Sequence, residues 1–407
     1  MRKIALLSRF LTDYEGHFYN FSVNFLQGLV QVFGNVEANV IVPNDCKISD
    51  AEFRKILPAN PKELNIASKF RRFKFHIHTA KTYARIIEEL QNDYDIIIFP
   101  DGYDYILLSS LIFLDKFKTP MFFYVHSCDD FFGNFLYKRR KNFLKRLWKT
   151  YWKLRFTHKK KANVYFLTYN DQEDCNSDEL RIVELLQKGN SKVVFSAPCA
   201  LLERYASSPS CDSSDKELTI SYLGVAVIEK GFDKVVEVIN YFKPRAEKAK
   251  FLVSCYVPKF YNNELLFRKI HELQQLKKEN PSLVEIIDVP LSFEEYTNSL
   301  KHSSILLLLY DNIHYKRKLS GVLLEAFAYG KPVITMAGTW LAKQVEKYGG
   351  GIIVQRPEPP VVAKAIEEII DNYARYQAQA IEAGRQLVQK HNSVELARLI
   401  KQLLGDG

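Results

Sequence analysis

The 407-residue chain holds only three methionines, three tryptophans and six cysteines. The cysteines, at 46, 128, 175, 199, 211 and 255, form no Cys-x-x-Cys pair. That scatter fits reduced thiols rather than a disulfide framework. No apolar run approaches the roughly 18–20 residues of a membrane span. The run after Met1-Arg2-Lys3 is too short for a signal peptide. Together these absences lead to the expectation of a cytoplasmic protein. Gly-x-x-x-x-Gly-Lys-Ser/Thr and Gly-x-Ser-x-Gly sequences are missing, which weakens ATPase and hydrolase readings. Internal repeats and low-complexity segments are missing too.

What is present is a globular composition, 47% hydrophobic and 26% charged, in a chain long enough for two domains. The net charge of +10 is uneven. Residues 131–170 carry twelve Lys/Arg and no Asp/Glu, and the rest of the chain has 45 basic residues against 47 acidic. Apolar runs of strand length alternate with helical spacing along both halves. In the first, Lys3–Ser8 is a strand, Phe18 onward a helix, and Val36–Val42 a strand. Helices at 80–90 and 105–114 and strands at 95–99, 121–126, 164–168 and 192–196 follow. Residues 47–75 have no legible pattern. In the second half, strands near 218–223, 250–255, 284–287, 304–310, 333–335 and 349–354 alternate with helices at 232–241, 263–278, 293–302 and from 321. Helices at about 361–373 and 376–404 finish the chain. This alternation predicts α/β structure with doubly wound parallel sheets. The expected division is 1–202, a polar linker 203–216, a second domain 217–385, and a C-terminal helix 386–407 packing back toward the first.

The most informative stretch is Lys318-Leu-Ser-Gly-Val-Leu-Leu-Glu-Ala-Phe-Ala-Tyr-Gly-Lys-Pro-Val-Ile334. Ser320 is a good N-cap, and Gly321 lets the backbone come close to a ligand. A helix opened this way is an anion site. Glu325, four residues after Gly321, faces the same side. It either complements the helix dipole or accepts two hydrogen bonds from a vicinal diol such as ribose; the Ser-Gly before it and the Gly-Lys-Pro after it favour the diol. Lys230, between Gly224 and the helix that starts after Gly231, is either a solvated charge or a phosphate contact.

The chain resembles the glycosyltransferase group 1 family (family 4), retaining sugar-nucleotide enzymes with the GT-B fold. Four features carry the resemblance in order: Leu223-Gly224 with Glu229-Lys230-Gly231-Phe232; Asp288-Val289-Pro290 before Phe293-Glu-Glu-Tyr296; Ser320-Gly321 through Ile334; and Gly349-Gly-Gly-Ile-Ile-Val354. It is most specific over about 218–356. It implies two Rossmann-like parallel-sheet domains facing across an interdomain cleft, and a nucleotide-sugar donor held by Gly16, Gly224, Lys230, Tyr310, Ser320, Gly321, Val322 and Glu325. It also implies a histidine at the donor sugar, matched by His126 at a strand end, where a satisfied core histidine is the other reading. No cofactor and no metal are expected. Two positions depart from the family. Val225 replaces an arginine that helps bind diphosphate, and Arg317 replaces a glutamate eight residues before Glu325. Arg317 therefore reads as a relocated phosphate clamp, and with His126, Lys230 and Glu325 it completes the catalytic candidates. Glu15, His17, Asp101 and Asp129 are acceptor-side candidates.

His76 and His78 flank Ile77, which on a strand would point both rings one way, but four-ligand zinc needs more. Residues 131–161, laid on a helix, place Leu136, Phe143, Leu147 and Tyr151 on one stripe beside a lysine stripe. Lys141, Lys145, Trp148, Lys149 and Trp152 would face an anionic membrane surface; a core-packed helix with a solvated basic face is the alternative. No nucleic-acid-binding motif accompanies the charge. The expected activity is transfer of a sugar to a hydroxyl of a glycan or lipid-linked glycan, in polysaccharide or glycoconjugate biosynthesis, by a cytoplasmic protein peripheral at the inner face of the plasma membrane. A non-catalytic GT-B partner subunit and a sugar-nucleotide epimerase or hydrolase on the same fold stay open.

Overall fold

The structure, a computed structural model, describes residues 1–12, 17–59, 69–100, 105–114, 117–125, 163–175, 177–188, 190–200, 218–245, 250–258 and 261–405. The chain divides into two compact units, 1–201 with 391–407, and 202–390.

The first unit is built on seven parallel strands: β1 (Arg2–Leu7), β2 (Val36–Pro43), β3 (Phe53–Leu57), β4 (Ile96–Phe99), β5 (Met121–Val125), β6 (Val164–Thr168) and β7 (Lys192–Val194). Their order is β3-β2-β1-β4-β5-β6-β7. Helices α1 (His17–Phe33), α2 (Lys69–Asp93), α3 (Tyr105–Phe113) and α4 (Ser177–Lys188) accompany them. The central strands are buried along their whole length, as parallel strands covered on both faces must be. Their aromatic residues stack from strand to strand: Phe99 on Phe123 at 4.1 Å and Phe122 on Tyr165 at 4.5 Å between centroids.

The second unit has six parallel strands: β8 (Thr219–Tyr222), β9 (Lys250–Ser254), β10 (Val284–Ile287), β11 (Ile305–Leu308), β12 (Val333–Met336) and β13 (Gly351–Val354). Their order is β10-β9-β8-β11-β12-β13. Its helices are α5 (Phe232–Phe242), α6 (Glu264–Glu279), α7 (Phe293–His302), α8 (Gly321–Ala328), α9 (Trp340–Tyr348), α10 (Pro359–Asp371) and α11 (Tyr373–Lys390). Both sheets contain the doubly wound strand order. In each, the direction of winding reverses between the first and fourth strands of the unit, and ligands bind beyond the carboxyl ends there. In the second unit that point lies between β8 and β11.

The helix α8 is held from both sides. Its C-terminus closes with the Gly330 amide on the Phe327 carbonyl (2.9 Å) and the Lys331 amide on that of Ala326 (2.8 Å), the paired bonds of a Schellman stop. Gly384 of α11 lies so near that a Cβ there would sit 1.9 Å from the Phe327 carbonyl oxygen.

Several elements differ from the sequence reading. The irregular 47–75 contains β3 and the start of α2, which begins at Lys69 rather than near Ala80. His76 and His78 are therefore on a helix, where residues two apart point to different sides. The helix α9 is an addition, opened by Thr339, whose hydroxyl accepts from the Ala342 amide at 3.1 Å. The expected helix 376–404 is two: α11 ends at Lys390, and α12 (Ser393–Leu403) restarts after Asn392, whose side-chain oxygen Oδ1 accepts from the Glu395 amide at 2.8 Å. The new helix lies in the first unit, packed on α1, with the Cys199 amide donating to His391 Nδ1.

Candidate functional site

The site begins with a 3-10 turn, Ile228–Lys230, between β8 and α5. Tyr261 pins it: its hydroxyl accepts from the Ile228 amide (3.1 Å) and donates to the Glu229 carboxylate (2.8 Å). The Glu229 carbonyl accepts from the Asp311 amide (3.0 Å) and so joins the turn to the loop after β11. Asp311 organises that loop, its carboxylate accepting from the amides of Ile313 and His314 at 2.9 and 2.7 Å. The far side is tied by the Trp340 amide on the Tyr315 carbonyl. Two loops from the switch point are thereby locked together.

Lys230 emerges half-buried from this frame. Its ammonium lies 5.7 Å over the buried Tyr310 ring, and Gly224 lies beside it, a Cβ there falling 3.6 Å from Lys230 Nζ and 3.7 Å from Val322. Tyr310 packs on Tyr315 at 4.5 Å, and Lys318 lies 5.9 Å over Tyr315. Burial, and then the like charge of Lys318, pull the Lys230 ammonium down to about 8, with Glu325 opposing. Burial drives the Tyr310 phenol up, against the Ser320 hydroxyl beside it.

The helix α8 starts at this point. The Ser320 hydroxyl accepts from the Leu323 amide at 3.3 Å and its carbonyl from that of Leu324. Gly321 and Val322 are the first two helical residues, and their amides have no acceptor within the helix. Glu325, one turn on, is 4% exposed. It accepts a 2.6 Å hydrogen bond from the Tyr296 hydroxyl of α7. The structure thus brings Gly224, Lys230, Tyr310, Ser320, Gly321, Val322 and Glu325 together beyond the carboxyl ends of the central strands β8 and β11. Lys331, from the same sequence stretch, turns away: its ammonium donates to the Lys301 carbonyl (2.7 Å) at the end of α7, where a cation meets the negative end of a helix.

Arg317 is half-buried in the loop between β11 and α8. Val225 offers its carbonyl to the Tyr222 hydroxyl at 3.1 Å. His17 is the first residue of α1. Glu15, Gly16, Asp101, His126, Asp129, Lys141, Lys145, Trp148, Lys149 and Trp152 lie outside the described residues, as does the linker 203–216. Among the described residues no helix is long and apolar enough to cross a membrane.

Sequence reasoning missed Tyr296 and Lys318. Tyr296 closes the Phe293-Glu-Glu-Tyr296 run, but only its hydrogen bond from α7 to Glu325 of α8 shows what its hydroxyl meets. Lys318 had one signal, the Lys316-Arg317-Lys318 run just before the helix start. Substituting Tyr296→Phe is expected to raise the donor KM roughly tenfold or more, since a hydrogen bond to a charged group contributes about 1.5–3 kcal/mol. Steady-state kinetics with varied donor checks it, and an unchanged KM would remove Tyr296 from the site.

Residues 206–387 match the family model described as glycosyl transferases group 1. The chain carries a group 1 glycosyltransferase domain. Solved glycosyltransferases share its fold over the whole length. Sucrose-phosphate synthase from Thermosynechococcus elongatus is 16% identical with a TM-score of 0.68, each chain covered completely. A glycosyltransferase from Rickettsia africae is 13% identical, covering 100% of this chain and 99% of that one, with a TM-score of 0.64. HepE of Anabaena, solved with UDP and glucose, is 13% identical at 0.59, both chains again fully covered. Among curated protein sequences none matches. The fold of this glycosyltransferase is GT-B, and the converged residues lie within the matched domain.

Proposed function

We propose that the glycosyltransferase moves a sugar from a nucleoside-diphosphate donor to a hydroxyl of a glycan or lipid-linked glycan, with retention, in building a cell-surface polysaccharide or glycoconjugate. The observation that carries this reading is the meeting of Lys230, the open amides of Gly321 and Val322, and the buried carboxylate of Glu325 at the β8–β11 switch point. A cation and a helix start suit a diphosphate, and a held carboxylate suits the ribose diol. The UDP and glucose in the HepE structure support the same class of donor.

In the reaction the bond from the anomeric carbon to the leaving phosphate oxygen breaks, and the acceptor oxygen bonds to that carbon. The leaving phosphate takes the acceptor's proton, so no protein base is assigned. Lys230 and the helix start neutralise the charge that grows on the diphosphate, a form of stabilisation that is usually the largest catalytic term. They stand where a divalent ion would otherwise serve, and the reading includes no metal cofactor. His126 is assigned to the donor sugar. The basic segment 131–161 is assigned to an anionic membrane, at the inner face of the plasma membrane.

A thermal-shift panel of UDP, GDP and their sugars tests the donor site. Stabilisation by at least one nucleoside diphosphate is expected, and none by any would overturn the reading. Sedimentation with anionic liposomes, bound at low salt and released at high salt, tests the membrane assignment; equal binding to neutral liposomes would sink it.

A further inference from the structure

Lys318 has no part in the four sequence features that mark the family, yet its position ties it to the donor site. The rings of Tyr310 and Tyr315 touch at 4.5 Å, tilted by 59°. One ammonium stands over each: Lys230 over Tyr310 at 5.7 Å and Lys318 over Tyr315 at 5.9 Å. Tyr310 and Tyr315 are 1% and 7% exposed, so the pair is a fixed floor rather than a surface contact. The loop that presents Lys318 is tied by Asp311 at one end and runs into the Ser320 cap at the other.

Resting on the donor reading above, we propose that Lys318 is the second cation of the diphosphate site, so that the two phosphates of a nucleoside diphosphate lie between Lys230, Lys318 and the start of α8. Two like charges brought together over a buried aromatic pair cost free energy in the empty protein. Lys318 is, after burial, the next cause that pulls the Lys230 ammonium down to about 8, and the nearby Glu325 only partly offsets it. A polyanion between the two ammoniums removes that repulsion. Nucleoside diphosphates therefore gain more from the pair than monophosphates do. Lys318 also restores, from the other loop, a cation that Val225 does not supply.

The test measures binding of UDP, GDP, UMP and GMP by calorimetry to the full-length wild type and to Lys318→Met, Lys318→Arg, Arg317→Met and Lys316→Met. Lys318→Met is expected to weaken diphosphate binding roughly 10- to 100-fold, the range for a lost bond to a charged group, and monophosphate binding much less. Lys318→Arg should keep most of the affinity, and the exposed Lys316→Met should leave it unchanged. A second readout follows from the charge itself. In Lys318→Met the alkaline fall of donor kcat/KM moves above pH 8, because Lys230 has lost a like-charged neighbour; a purely structural role would not move it. Equal loss for di- and monophosphates, or loss in Arg317→Met with none in Lys318→Met, overturns the assignment and leaves the donor reading intact. A wild type that binds none of the four nucleotides overturns both.

Discussion

Replacing Lys230 with methionine is expected to lower kcat for sugar transfer by roughly 10²- to 10³-fold, the usual loss when one fixed donor to a developing anion is removed. The fold has already placed this ammonium, through Tyr261 on Glu229 and Asp311 on the Glu229 carbonyl, so it needs no reorganisation as charge moves to the leaving phosphate. Methionine keeps the length of the side chain and its packing on Tyr310 but has no charge. The unliganded variant should be at least as stable as the wild type near neutral pH, because a half-buried cation held beside the like charge of Lys318 has been taken out. Lost activity with retained stability separates a catalytic role from a folding one. Unchanged kcat at saturating donor would remove Lys230 from the mechanism.

The same lysine sets a pH dependence with a definite sign. Its ammonium loses its proton near pH 8 in the folded protein and near the ordinary 10.5 when unfolded. Between these values the unfolded chain binds more protons, so the unliganded protein gains stability as pH rises from about 8 toward 10.5, and the penalty is fully present below 8. Donor binding runs the other way: kcat/KM for the donor, which reports the free enzyme, falls above about pH 8 as the cation is lost. Opposite slopes of unfolding midpoint and donor kcat/KM over one window are the expected signature. Both should vanish in Lys230→Met.

How much of this was legible in the sequence depends on how local the cause is. Ser320 caps α8 through its own hydroxyl to an amide three residues on, and that bond is written in neighbouring residues. The buried strands β4, β5 and β6 are written as unbroken apolar runs. Residues 73–78 mislead for the same local reason, since Phe73, Phe75 and Ile77 alternate with basic residues and histidine as a strand would. They belong to a 25-residue helix instead. The partner of Glu325 was out of reach, because Tyr296 is 29 positions away on another helix. So was the direction of Lys331: one Gly-Lys-Pro sequence fits a ligand contact and a helix cap equally until the end of α7 is found beside it. Lys318 lay in plain view beside Arg317, and only the packed pair of Tyr310 and Tyr315 singles it out.

Gly231→Ala is expected to cost at least about 3 kcal/mol of stability in the second unit and to abolish donor binding with it. Two effects combine. The backbone of Gly231 has φ +74, where a side chain costs roughly 1–2 kcal/mol. A Cβ there would also fall 2.1 Å from the Leu309 carbonyl oxygen and 2.7 Å from its carbonyl carbon. These are backbone atoms, which cannot swing aside as a side chain does, and overpacking typically costs about 1–3 kcal/mol more. Gly34 separates the two effects: its φ is +70, with nothing within 4 Å of a Cβ. Gly34→Ala therefore reports the cost of the dihedral alone. Urea unfolding of both variants, with nucleotide binding measured on each, reads the difference. Leu309 immediately precedes Tyr310, so the shift that admits a methyl group moves the ring beneath Lys230. A Gly231→Ala protein no less stable than Gly34→Ala, with donor affinity intact, would mean that the turn and the β11 strand end yield freely and that the lysine is not positioned by their contact.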